Sequence, residues 1–274
     1  MELKAKTTIE TYNTLVEKLR KNKKLYFTRF GDGELLLMMG ENTRNSNFNK
    51  ELQKELIECF TIEHPQFLIA SVINQKKERG MSEGLFTPYS FNTKLKDFII
   101  NNGYENKLGI YENPITFHYL TVFQSKLIFN FLENYVRPRK KMFIGSINKD
   151  VTEKLYGYID YYISIPKQFA YDTIDEWWPD IIKNIDHVEL VIPSAGSASK
   201  VISKRLWKLN KEIHLLDIGS IIDAVDGKVS RTWIRLQGHK INKVLPKQYR
   251  EKRINKRIGF ILKNMKCFFR SFIK

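Results

Sequence analysis

The chain has 274 residues, of which 42% are apolar, 28% charged and 13% aromatic, enough to bury a core and too apolar for a disordered or collagen-like polymer. Its formal charge is +16, but twelve of the 46 Lys and Arg, against the single acid Glu251, lie between His239 and Lys274, leaving 34 cations and 29 acids over residues 1–238. That distribution argues against a nucleic-acid surface spread over the body, and two distant cysteines, Cys59 and Cys267, give neither a disulfide framework nor a cysteine zinc site.

From Met1 the chain is polar and amphipathic, without an apolar signal core, and it has no run of about 18 apolar residues, so a cytoplasmic protein is expected. Short apolar runs predict strands at Leu25–Arg29, Phe67–Ile73, Leu108–Tyr111, Met142–Gly145, Tyr158–Ile165, Val188–Ile192 and Ile213–Ile218. Between them, apolar residues at three- and four-residue spacing predict helices over Phe48–Phe60, Ile115–Tyr135, Lys149–Tyr156, Ile174–Ile185 and Ser197–Asn210. This alternation predicts an α/β, Rossmann-like domain over residues 1–238, with a largely parallel sheet and helices on both faces. Ligands of such sheets bind beyond the carboxyl ends of the strands, so the loops there carry the candidate chemistry.

The first such loop is Gly31-Asp-Gly-Glu34, between an apolar strand and an apolar helical run. Gly31 and Gly33 permit unusual backbone angles and close approach of a phosphate or sugar. Asp32 and Glu34 either converge on a hard divalent cation, or Asp32 caps the helix while Glu34 faces its dipole. Arg29, just before the loop, favours an anionic ligand. The second loop, Pro193-Ser-Ala-Gly-Ser-Ala-Ser199, is either a diphosphate site built from amides around Ser194, Gly196 and Ser197 or an ordinary strand-to-helix turn. It is neither a P-loop nor a dinucleotide fingerprint. The third, Leu215-Leu-Asp-Ile-Gly219, ends on Asp217, with Asp223 following; these acids either bind a ribose, sugar hydroxyl or metal, or cap the turn. Arg231 and Arg235 then offer phosphate clamps or surface ion pairs. Of five histidines without metal-ligand spacing, only His118 is carried forward, as a polar group of the site. No Gly-x-Ser-x-Gly elbow is present.

Residues 239–274 read differently. Ile254, Ile258, Ile261, Met265, Phe268 and Phe272 recur at helical spacing among Lys and Arg, the pattern of a basic amphipathic helix in a membrane interface. The alternative is a docked C-terminal helix with a solvated basic face.

The run Thr28-Arg-Phe-Gly-Asp-Gly-Glu-Leu35 resembles the signature of the GT-D-fold glycosyltransferases, typified by bacterial enzymes that extend glycans on serine-rich-repeat adhesins. Similarity continues in order through Thr87-Pro-Tyr89, Asn113-Pro-Ile-Thr116, Tyr162-Ile-Ser-Ile-Pro166 with Ala170 and Tyr171, Pro193–Gly196, and Leu216-Asp-Ile-Gly219 with Asp223, spanning about residues 24 to 235. Two departures stand out: Ser220 occupies a position that is His in the adhesin enzymes, and the small-residue loop at Ser194–Gly196 differs.

The resemblance implies a metal-dependent hexosyltransferase using a nucleotide sugar, UDP-linked by expectation, with Asp32 and Glu34 holding Mn or Mg at the donor diphosphate. It also implies that Asp217 and Asp223 complete the donor pocket. The chemistry is consistent with such a site, because the departing nucleoside diphosphate gathers negative charge that a cation, amides at Ser194–Ser197, Arg29 and Arg231 would offset. Asp217 and Asp223 are the candidate bases for the acceptor hydroxyl. The acceptor expected is a glycan, lipid-linked at the inner face of a bacterial cell membrane, with residues 246–274 on the anionic surface. The rival readings are a non-catalytic nucleotide-sugar-binding protein of the same fold and, more remotely, a nucleic-acid-processing enzyme.

Overall fold

A computed structural model describes residues 2–21, 23–44, 46–73, 78–80, 85–86 and 92–250. Its strands are β1 (Lys4–Ala5), β2 (Leu25–Phe30), β3 (Phe67–Ser71), β4 (Ile110–Tyr111), β5 (Lys141–Gly145), β6 (Tyr161–Ser164), β7 (Leu190–Ser194) and β8 (His214–Leu216). The helices used below are α1 (Thr8–Lys21), α2 (Asp32–Met38), α3 (Lys50–Phe60), α4 (Asn92–Asn101), α5 (Thr116–Phe123), α6 (Ser125–Phe131), α7 (Lys149–Tyr156), α8 (Ile174–Asn184), α9 (Ala198–Lys208), α10 (Ile221–Val225) and α11 (Thr232–Gln237).

Six strands form one parallel sheet in the order β3-β2-β8-β7-β5-β6, with Phe27 opposite Leu216 and Gly145 opposite Ser194. The chain steps outward from β2 to β3 on one side and from β5 to β6 on the other, then returns through β7 and β8 to the middle. Beyond the carboxyl ends of β2 and β8 the connections diverge, and there a parallel sheet leaves a crevice for ligand.

Side chains alternate across the sheet, as strand geometry requires. Tyr26, Phe30, Met142, Ile144, Val191 and Leu215 enter one core with α3, α8 and α9. Leu25, Phe27, Phe143, Leu190, Ile192 and Leu216 enter the other, with α1, α5, α6 and α7. The expected parallel sheet covered on both faces is therefore present. Local capping helps to set the helix starts: Asn49 accepts from the Leu52 amide at 2.8 Å and Asn148 from the Asp150 amide at 2.8 Å.

Three expectations change. The predicted helix over 115–135 is split, because Gln124 takes a non-helical conformation between α5 and α6 and a π turn follows over Leu132–Val136. The amphipathic segments that become α1 and α4 were not among the predicted helices. Residue 238 does not end the packed body: Ile241, Val244 and Leu245 are buried in the second core. Thr87–Tyr89 and residues 251–274 of the amphipathic tail expected over 239–274 lie outside the described residues. Among the described residues, no helix is long and apolar enough to cross a membrane.

Candidate functional site

The loops singled out by sequence meet at the carboxyl ends of the central strands. Arg29 is the penultimate residue of β2, Asp217 follows β8, and Lys200 lies in the first turn of α9, after β7. Their side chains and that of Glu34 form one line of alternating charge. Arg29 Nε donates to Asp217 Oδ1 at 3.2 Å, and Lys200 Nζ donates to Asp217 Oδ2 at 3.0 Å and pairs with Glu34 Oε1 at 3.2 Å. Lys200 and Asp217 are almost wholly buried, at 4% and 5% side-chain exposure. Burying such charges is unfavourable unless each is paired and hydrogen-bonded, a condition this alternation meets.

The ends of the line are fixed by backbone. Arg29 Nη1 donates to the Pro114 carbonyl at 2.6 Å, a carbonyl presented by the turn in which Asn113 Oδ1 accepts from the Ile115 amide at 3.0 Å. At the other end, Glu34 Oε2 accepts from the Gly31 amide at 2.9 Å, closing the first turn of α2. Lys200 Nζ also donates to the Gly196 carbonyl at 3.3 Å. Gly219 has φ +74°, and a Cβ there would fall 2.1 Å from Arg29 Nη2, so only glycine leaves the guanidinium its place.

These contacts set the protonation states. Burial pushes the Asp217 carboxyl up, but Lys200 and Arg29 outweigh it and hold the value below that of an ordinary aspartate. Burial lowers the Lys200 ammonium, and Asp217 and Glu34 more than reverse the effect, leaving it raised. Asp223 behaves oppositely: burial raises its carboxyl despite the hydrogen bond donated by Ser230 and the nearby charges of Arg231 and Lys228. His118 is buried, stacks on Trp233 at 5.4 Å between ring centres, and lies 3.3 Å from the Ser220 hydroxyl through Nε2. Burial, then Arg29 and Arg231, hold it well below the usual histidine range, so the imidazole is neutral.

Several sequence expectations are corrected by these contacts. Gly31 has φ −90°, outside the left-handed region, and caps α2 through its backbone; Asp32 is the first residue of the helix and is exposed. Gly33 lies in the same turn, where an added Cβ would meet only Thr43 Cγ2, at 3.9 Å. The two carboxylates therefore sit in different surroundings, that of Asp32 exposed and that of Glu34 bound within the protein. Both Glu34 oxygens are engaged, one by an amide and one by an ammonium, and among the described residues no group of three or more His, Cys, Asp or Glu is placed to hold a metal ion. This donor set does not fit the expected Mn or Mg.

In the small-residue loop, two hydroxyls, one amide and one carbonyl are engaged within the protein. Ser197 Oγ meets Ser46 Oγ at 2.8 Å, the Ala195 amide donates to Ser199 Oγ at 3.0 Å, and the Gly196 carbonyl serves Lys200. Gly196 itself has φ +58°, which explains the glycine by backbone conformation. Ser194 ends β7 and is half-buried, and Arg231 precedes α11 with its side chain exposed. Lys200 was missed by the sequence reading. Its signal was a cation in the first turn of a helix, where the dipole favours acids.

No protein-family model and no curated protein sequence matches the chain. Solved structures do. One, described as a new glycosyltransferase (domain of unknown function 1792) from Streptococcus sanguinis, superposes with a TM-score of 0.65 at 17% identity, covering 82% of this chain and 84% of that one. A selenomethionine structure of domain of unknown function 1792 gives 0.60 at 16% identity, over 82% of this chain and 81% of its own. A structure of the same domain, described as having a distinct glycosyltransferase fold, gives 0.58 at 17% identity over the same shares. The fold expected from the Gly31–Glu34 signature is thus the fold observed.

Proposed function

We propose that this chain is a glycosyltransferase that takes a hexose from a nucleotide-sugar donor, a UDP-sugar by preference, and passes it to a glycan acceptor in cell-surface polysaccharide or glycoprotein glycan assembly. One observation carries the reading. The loops after β2, β7 and β8, which hold the transferase-like motifs, converge on a single buried charged line at the switch point of a sheet with this fold. The described glycosyltransferase activity of a structural neighbour supports it further.

In this reading the acceptor hydroxyl oxygen forms a bond to the anomeric carbon. The bond from that carbon to the β-phosphate oxygen breaks, and its electron pair leaves with the nucleoside diphosphate. Arg29 and Arg231 offset the charge that accumulates there. Asp223 takes the hydroxyl proton, since its raised carboxyl is a stronger base than Asp217, whose two oxygens are held by Arg29 and Lys200. Arg29, fixed by Asp217, Pro114 and Gly219, is presented without reorganisation. The twelve cations from residue 239 onward support a peripheral enzyme whose residues 246–274 meet an anionic membrane where a lipid-linked acceptor would be presented.

The test is direct. Nucleoside diphosphate release from a panel of nucleotide sugars should be measurable, and the preferred donor should raise the melting temperature. Asp223→Asn is expected to keep the thermal shift and lose about 10²- to 10⁴-fold in release. A chain that neither binds nor cleaves any nucleotide sugar would remove the reading.

A further inference from the structure

We propose that Lys200 takes the place of a divalent metal in this site by neutralising Glu34 and Asp217, so that nucleoside diphosphate binds without a metal ion. The inference rests on the nucleotide-sugar reading above and concerns how that same site manages charge. An ammonium in the first turn of a helix, almost sealed from water, is unfavourable on two counts: it is desolvated, and it opposes the helix dipole. It stays because the surroundings satisfy it: Asp217 Oδ2 at 3.0 Å and the Gly196 carbonyl at 3.3 Å accept hydrogen bonds from it, and Glu34 Oε1 pairs with it at 3.2 Å. The two carboxylates come from loops after different strands and meet only at this nitrogen.

A divalent ion drawn to Glu34 would have to share that carboxylate with the ammonium, and like charges repel strongly at such a range in a buried site. Asp32, the other half of the expected ligand pair, is exposed and does not join the line. With Lys200 and Arg29 balancing Glu34 and Asp217, the buried acids no longer repel an incoming diphosphate. The exposed cation Arg231, close enough to act on His118 and Asp223, then adds attraction. Lys200 is thus a positioning residue that acts through Glu34 and Asp217, and no contact of its own with the diphosphate is required.

The decisive measurement is calorimetric binding of UDP to the full chain after chelator treatment, with EDTA in one arm and MnCl2 in the other, alongside the EPR signal of free Mn(II). The dissociation constants are expected to agree within about twofold, and the chain without nucleotide should leave the Mn(II) signal undiminished. Binding that strengthens tenfold or more with Mn(II) would overturn the inference while leaving the transferase reading intact. No UDP binding in either arm would overturn both. Lys200→Met sharpens the result: with Glu34 and Asp217 left without their cation, the variant is expected to take up Mn(II) and to bind UDP only in its presence. A folded variant indifferent to Mn(II) would also overturn the exchange. If the variant does not fold, the two arms on the native chain decide.

Discussion

Helix α9 carries two sets of ion pairs, one turn apart, under opposite conditions. At its start Lys200 is sealed between Glu34 and Asp217 at the carboxyl ends of the central strands. One turn on, Lys204 pairs with Glu55 and Glu58, Arg205 with Glu55, and Lys208 with Glu58, tying α9 to α3 along a wetter seam where Glu58 is 31% and Lys208 60% exposed. The residue types and spacing are nearly the same. The difference lies in water at the outer end: Lys204 is almost as sealed as Lys200, at 8% exposure, but Glu58 and Lys208 open to solvent, which screens the pair they form, whereas no member of the first set exceeds 15% exposure.

The largest effect should come from removing the sealed cation. Lys200→Met leaves two buried carboxylates facing each other and is expected to reduce stability by about 3–5 kcal/mol, read from the urea midpoint in metal-free buffer. A loss comparable to that of Lys208→Met would erase the distinction between the two sets. Next comes Gly219→Ala. Its Cβ would collide with Arg29 and also require a left-handed conformation at φ +74°, for about 2–4 kcal/mol in all. Because the collision is with the guanidinium, donor affinity should fall as well. A variant that loses stability yet binds donor normally would detach Arg29 from the site.

This glycine shows what sequence could reveal and what it could not. The strand-then-glycine pattern of Leu215–Gly219 identified a loop at a strand end, because strand periodicity and glycine placement are local properties. That its missing Cβ makes room for Arg29, from a strand nearly two hundred residues earlier in the chain, is a tertiary fact. The same limit explains Glu34. Spacing placed it correctly at the start of α2, and both the metal reading and the helix-start reading were consistent with that. The choice depended on Lys200, which the periodic pattern of α9 had hidden among Ala198, Val201 and Ile202. Asp223 and His118 could be named from sequence, but burial, which gives them their raised and lowered proton affinities, could not.

Acid should separate the two sets next. Asp217 titrates below the unfolded value near 3.8, so its contribution is complete above that value and disappears as pH falls through the folded one. Glu58 is drawn to about 2 by the hydrogen bonds from Lys208 and Lys204, which gives the same sign, but water at this seam discounts what the shift is worth. Raising salt to about 1 M, where the screening length is about 3 Å, should therefore flatten the part of the acid limb that Glu58→Gln removes and leave the remainder. If salt abolished the whole limb below pH 4, the sealed set would be no better shielded than the seam.

The smallest effect is the most discriminating for the seam itself. Lys208 extends from the last turn of α9 to Glu58, a carboxylate that Lys204 also holds, at 2.9 Å. Removing Lys208 leaves Glu58 with one partner and with access to water, so no charge is stranded. Lys208→Met should change stability by no more than about 0.5 kcal/mol, and the change should vanish in high salt. The helix end gives the one reason to expect any loss at all: a cation there faces the negative end of the dipole, an interaction typically worth about 0.3–1 kcal/mol at low ionic strength. A salt-insensitive loss of several kcal/mol would mean that the seam is closed to water and that Glu58 depends on both lysines, making α3 and α9 a second desolvated charge array.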